Sequence, residues 1–334
     1  MEVKAAQQPG DDLWHPSWEP AAGEATIRAR SAPQDVKLFC SWFCPFAQRA
    51  WIALEEKGAP YEYVEINPYE VDAREPGGYT KKQLPLEEKA RRNGTAFLAA
   101  SPRGLVPAIQ AGGGRRVWES LPLVEFAHEG LPGAPLLPDD PYQRALVRIW
   151  SEHSTSRMQR AFYTLMMEQN PSAERRAELE DNFFRETTAL AEAMAPLSNG
   201  PFFLGKHFSM VDIALAPFWQ RFLWVGTHYL GLTFPETPAF SRMASWWEAC
   251  LARPSVAATI VCRPRLISSY SQYVRGLGTS DCAKNIMGDK ATGGKEASGM
   301  QYILNACQRV HSTCALVALS AFVSGAALGA WRRT

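Results

Sequence analysis

The chain has almost no net charge: 35 Lys and Arg stand against 34 Asp and Glu in 334 residues, leaving a formal +1. That balance excludes the broad basic face that nucleic acid would require, so no nucleic-acid partner is expected and binding must be sought in local features. Cysteine is sparse as well. The seven cysteines, at 40, 44, 250, 262, 282, 307 and 314, form neither the dense even set of a secreted scaffold nor two Cys-x-x-Cys clusters at zinc spacing. A reducing compartment and a chain without a metal site follow as expectations. The first twenty residues contain no apolar run of the kind a secretory signal needs. Up to Asp35 there are three basic and six acidic residues, the reverse of a transit peptide. Residues 1–35 therefore read as a flexible arm. With 46% hydrophobic and 21% charged residues, wholesale disorder is excluded, and the length fits two domains.

What is present begins at Val36-Lys-Leu-Phe-Cys40, a short β-like run. Cys44 to Lys57 follows with apolar residues at Phe46, Ala50, Trp51 and Leu54, a helical stripe closed by Gly58. Tyr61 to Ile66 alternates as a half-buried strand does. Val106 to Ile109 and Arg116 to Trp118 are two more short strands around a Gly-rich turn, and Ser120 to His128 reads as a helix with Pro122 in its first turn. A polar stretch from Glu70 to Asn93 interrupts this βαβ-ββα order as an insertion over the surface. A proline-rich connection, Leu131 to Pro141, then leads to long helical patterns over 142–169 and 173–195. In Phe208-Ser-Met-Val-Asp-Ile213, Ser209 and Asp212 form a capping box at a helix start, with Phe208 and Ile213 as its staple. The fold class is α+β followed by all-α.

Chemistry concentrates at Cys44. It follows a strand and precedes a proline suited to the first helical position, so it caps a helix. Unpaired amides and the positive end of the helix macrodipole favour a thiolate there, and a thiolate is a nucleophile at neutral pH. Position 47 is Ala47, so no Cys-x-x-Cys dithiol is available. Cys40 lies on the strand and reads as structural.

In order along the chain, Phe43-Cys-Pro-Phe-Ala-Gln-Arg49, Gly104-Leu-Val-Pro107, Glu119-Ser120, Leu136-Leu-Pro-Asp-Asp-Pro-Tyr142 and Phe203-Leu-Gly-(x3)-Ser209-Met-Val-Asp212 resemble the cysteine-type glutathione transferases, the omega class first and the plant lambda class next. The likeness spans about residues 36–275. It implies a thioredoxin-like domain over 36–130, carrying the insertion at about 70–93, and an all-helical domain over 138–275. It further implies a cis Pro107, with the backbone of Val106 pairing with the cysteinyl part of glutathione like an added strand. The amides and hydroxyl at Ser120 would receive the γ-glutamyl carboxylate, Glu119 the α-ammonium, and Phe46 would line the same site. Glutathione is the implied co-substrate. The family's loop before the cis-proline supplies a cation for the glycyl end. Here Lys81, Lys82, Lys89, Arg91 and Arg103 all stand open for that role. Leu266, Tyr270 and Tyr273 fall where the family shapes its acceptor pocket, and core packing is the competing reading for the tyrosines.

The resemblance thus points to a glutathione-dependent thiol transferase or reductase working through a Cys44–glutathione mixed disulfide, with deglutathionylation or dehydroascorbate reduction as implied reactions. A small or protein thiol or disulfide is the implied partner, and a homodimer the implied assembly. The second reading is a membrane-tethered glutathione- or ligand-binding scaffold without turnover. Residues 276–300 turn to Gly, Ser, Lys, Asp and Ala without periodicity and read as a linker. Ser312 to Ala330 then gives 19 uncharged residues, about 28 Å as a helix. With Trp331-Arg-Arg-Thr334 behind it, the segment 301–334 reads as a transmembrane tail anchor. The catalytic domain would then face the cytosol from the mitochondrial outer membrane or the endoplasmic reticulum; without anchoring the protein would be cytoplasmic.

Overall fold

The structure is a computed structural model in which residues 22–30, 35–72, 74–75 and 79–291 are described. Helix α1 (Ala22–Ala29) precedes strand β1 (Lys37–Cys40), helix α2 (Pro45–Lys57) and strand β2 (Glu62–Glu65). Pro45 starts α2 because its missing amide is one the first turn leaves unpaired in any case, and Gly58, at φ 61°, supplies the left-handed C-cap. Strands β3 (Tyr69–Val71) and β4 (Tyr79–Gln83) pair as an antiparallel hairpin, followed by α3 (Leu86–Asn93) and α4 (Thr95–Ala100). Strands β5 (Ala108–Ala111) and β6 (Arg115–Trp118) and helix α5 (Ser120–Gly130) complete the unit.

The main sheet has the order β2-β1-β5-β6, with β1 parallel to β2 and antiparallel to β5. This is the thioredoxin-like arrangement that the motif order implies. Because side chains alternate along a strand, Leu38 and Cys40 enter the main core while Phe39 faces the other side and packs with Phe97, Ile66 and Ala108.

The helical part comprises α6 (Pro141–His153), a π turn over Ser154–Gln159, α7 (Arg160–Met167), α8 (Ala173–Ala193) and α9 (Met210–Arg221). A second π turn leads to α10 (Thr227–Leu230) and α11 (Pro238–Leu251). Four short helices end it: α12 (Pro254–Ala257), α13 (Arg263–Ser268), α14 (Ser271–Val274) and α15 (Asp281–Ala291). Every residue of α9 is buried, so this helix is the centre of the domain and packs directly on α2. The Ser209–Asp212 capping box forms as its spacing predicts.

Three sequence expectations need correction. The arm over 1–35 includes a docked helix: Glu24 pairs with Arg265 at 2.6 Å, and the Arg30 carbonyl accepts the Tyr63 amide at 2.8 Å. The stretch read as a linker contains α15, whose Ala283 and Ile286 are buried. The polar insertion is not only a surface cover, since Lys81 and Lys89 are each 2% exposed. In all three cases tertiary contacts decide what local propensity leaves open. The proposed tail at 301–334 lies outside the described residues, among which no helix is long and apolar enough to cross a membrane.

Candidate functional site

Cys44 is the N-cap of α2, in extended conformation at φ −85° and ψ 118°. The cap leaves its thiol half-buried, with Sγ 4.0 Å from the Val106 carbonyl to which it donates. The Val106–Pro107 bond is cis, in agreement with the motif. The helix terminus does not settle the ionisation of this thiol by itself. Burial pushes it above the ordinary range; the backbone amides of Ala47 and Phe46 and the charges of Arg221 and Lys81 pull the other way. A terminus read from sequence foresees only the lowering influences, because desolvation depends on residues far along the chain.

Phe46 leans on Phe218 edge-to-face, with ring centroids 5.1 Å apart, and so locks the first turn of α2 to α9. Beneath it lies Arg49, buried on the same helix. Its Nε donates to the Ala214 carbonyl at 2.9 Å, Nη2 to Thr155 Oγ1 at 2.7 Å, and Nη1 to Ser120 Oγ at 3.3 Å. Burial lowers this guanidinium to about 9. Arg221, also buried, donates from Nη2 to the Phe43 carbonyl at 3.0 Å and from Nη1 to Gln48 Oε1 at 2.9 Å. Two arginines therefore fasten the Cys44 turn to the helical part.

At the start of α5, Glu119 adopts φ 71° and makes no side-chain cap. A non-glycine residue in that region costs on the order of 1–3 kcal/mol, and such positions cluster at ligand sites. Its carboxylate lies out in solvent, 3.7 Å from Arg103, and is open to a further cation. Ser120 is buried; its oxygen accepts from Arg49, which leaves its hydrogen for a carboxylate. Cys44 and Val106 meet directly, and Ser120 joins α2 through Arg49.

The five candidate cations separate clearly. Lys89 is committed to the Gly104 carbonyl at 2.9 Å and Gln83 Oε1 at 3.2 Å, bracing the loop before Pro107. Arg91 pairs with Glu88 on the surface, and Arg103 pairs with Asp281 at 2.8 Å beside Glu119. Lys81 alone of the five shares its surroundings with Cys44. The charge of Lys82 acts on Asp72, and its amide donates to Thr80 Oγ1. No group of three or more His, Cys, Asp or Glu that could hold a metal occurs among the described residues.

Residues 43–129 match the N-terminal domain of glutathione S-transferases and residues 155–259 the C-terminal domain. The crystal structure of glutathione transferase Omega 3C from Trametes versicolor is 34% identical, with a TM-score of 0.60, covering 77% of this chain and 98% of that one. The chain belongs to the glutathione transferase superfamily. Glutathione S-transferase omega-1 of Sus scrofa is 25% identical over 236 residues, 71% of this chain and 84% of its own. Protein IN2-1 homolog A of Oryza sativa subsp. japonica is 30% identical over 201 residues, 60% of this chain and 71% of its own.

For a transferase of this kind, the residues missed by sequence reading are Arg49 and Arg221, while Lys81 stood among the five open cations and only its burial beside Cys44 was unforeseen. Arg49 stands within the Cys-Pro-Phe-Ala-Gln-Arg motif, so a signal existed; arginine on a helix otherwise reads as solvated. Leu266, Tyr270 and Tyr273 are all buried, and the Tyr270 hydroxyl bonds that of Tyr163 at 2.9 Å. Packing accounts for Leu266, while both tyrosine rings also face Lys81.

Proposed function

We propose that this transferase is a glutathione-dependent thiol transferase or reductase in which Cys44 is the nucleophile. The observation that carries it is the cap geometry: a cysteine at a helix N-terminus, beside the Val106 carbonyl and under the influence of Arg221 and Lys81. Glutathione is its co-substrate, held by the Val106 backbone, the α5 amides, Ser120 and Glu119, with Phe46 and Pro107 shaping the floor. The Cys44 thiolate attacks the glutathionyl sulfur of a mixed disulfide, forming Cys44–S–S–G and releasing the acceptor thiolate. A second glutathione thiolate then attacks that bond, freeing Cys44 and leaving as oxidised glutathione. Deglutathionylation follows this scheme directly. Dehydroascorbate reduction consumes two glutathione molecules and yields the same disulfide.

The test is the intact mass of the full chain after incubation with oxidised glutathione. One glutathionyl addition mapped to Cys44, absent from Cys44→Ser and removed by reduced glutathione, is expected. Retention of glutathione without any such addition would instead establish the binding-scaffold reading.

We further propose that residues 301–334 anchor the protein, on the strength of the uncharged 19-residue run and its basic end. Membrane fractions should retain the full chain after carbonate washing and lose it when 301–334 are deleted; full-length protein in the supernatant would refute this. A homodimer is the proposed assembly, read by sedimentation.

A further inference from the structure

Lys81 sits on β4, in a hairpin whose polar sequence belongs on a surface, and yet it is 2% exposed. Its Nζ lies 4.0 Å from the ring centroid of Phe43, the residue before Cys44. The rings of Tyr69, Tyr273 and Tyr270 stand at 5.0, 5.4 and 5.7 Å. Four aromatic faces thus surround one amine, a setting that favours its charged form through the ring quadrupoles. The rings are themselves held: the Tyr273 hydroxyl donates to Ser280 Oγ at 2.8 Å, and those of Tyr69 and Tyr273 lie 3.4 Å apart.

The backbone of β4 is clamped from outside. The Thr279 amide donates to the Lys81 carbonyl at 3.0 Å, the Gln83 amide to Thr279 Oγ1 at 3.0 Å, and Gln83 Nε2 to Asp281 Oδ1 at 3.4 Å. The segment read as a linker therefore fixes the segment read as a surface insertion, and together they deliver one lysine to the nucleophile. The charges acting on Lys81 are those of Cys44, which favours the ammonium, and Arg221, which opposes it. Around Cys44 stand Arg221 from α9, Arg49 and the Phe46 and Ala47 amides from α2, Cys40 from β1, Tyr270, and Cys282 from α15.

We propose that Lys81 is the charge partner of Cys44: when the Sγ–H bond breaks and its proton leaves to solvent, the Lys81 ammonium holds the resulting thiolate for attack. Lys81 acts through Cys44 as a positioning residue, and the proposal rests on Cys44 being the nucleophile. Burial lowers the lysine to about 7 and pushes the Cys44 thiol up, whereas the charge of each favours the charged form of the other, so the thiolate and the ammonium are stabilised together. The same pair serves the leaving step, when Cys44 is expelled from the mixed disulfide as a thiolate.

Full-length wild type, Lys81→Met and Lys81→Arg are compared by thiolate absorbance across pH 5–10 and by the rate at which Cys44 is alkylated by iodoacetamide, with Cys44→Ser as the background. In Lys81→Met the thiolate midpoint should rise by about one pH unit and alkylation at pH 7 fall about tenfold. Lys81→Arg, a fixed cation, should hold the midpoint at or below that of wild type. Equal midpoints in wild type and Lys81→Met overturn the proposal, as does an arginine variant that moves upward with the methionine one. If Lys81→Met does not fold, the arginine variant alone decides by its direction. Wild-type alkylation no faster than the Cys44→Ser background would instead defeat the nucleophile assignment itself.

Discussion

Replacing Cys44 by Ser is expected to lower glutathione-dependent thiol transfer by on the order of 10³-fold, equivalent to about 4 kcal/mol of transition-state stabilisation. The effect is large because an alcohol is almost fully protonated at neutral pH and forms no disulfide, so no part of the two-step exchange survives. The exchange should be ping-pong in the wild type, since the acceptor leaves before the second glutathione enters. The serine should still donate a hydrogen bond to a bound glutathione thiolate, as the thiol now donates to Val106, so conjugation to an electrophile should persist or rise. Rates for the two reactions in wild type and Cys44→Ser decide the matter. A serine protein that keeps its full reductase rate would place the chemistry elsewhere.

Much of this site was legible because its signals are local. Cys44, Pro45 and Gly58 announce a helix by its two ends, and Ser209 with Asp212 announces another. The order of short strands around Val106-Pro107 and Glu119-Ser120 fits one sheet topology. What escaped depends on partners distant in sequence. Lys81 is caged by rings about 190 residues further on, and a lysine in a run such as Tyr-Thr-Lys-Lys-Gln reads as solvated. Helix α1 has eight residues, too few to stand alone, and exists because Gly23, Glu24 and Arg30 find partners at Ile260, Arg265 and Tyr63. The ionisation of Cys44 escaped for the same reason. The helix end is written at residue 44, whereas the burial that opposes it is a property of the folded chain.

Asp212→Ala is expected to destabilise the fold by on the order of 4 kcal/mol. The carboxylate is fully buried and accepts from the Phe203 amide at 2.9 Å, the Ser209 amide at 2.8 Å, Ser209 Oγ at 2.9 Å and Trp246 Nε1 at 2.8 Å. Burial pushes its carboxyl up, and those four donors oppose the push. Removal leaves three N–H groups dry and unpaired, each worth about 1–3 kcal/mol; because the groups share one acceptor the costs do not sum fully. The thermal midpoint should drop by roughly 10 °C, followed by circular dichroism. Asp212→Asn should fall between, since its oxygen can keep Phe203 and Trp246 while its amide nitrogen meets the Ser209 donors. The consequence reaches the site along α9: Asp212 fixes the start of the helix whose end carries Arg221, and Arg221 holds the Phe43 carbonyl beside Cys44. Held below its melting point, Asp212→Asn should therefore glutathionylate Cys44 more slowly than wild type. A midpoint unchanged in Asp212→Ala would show that α9 is anchored by packing alone.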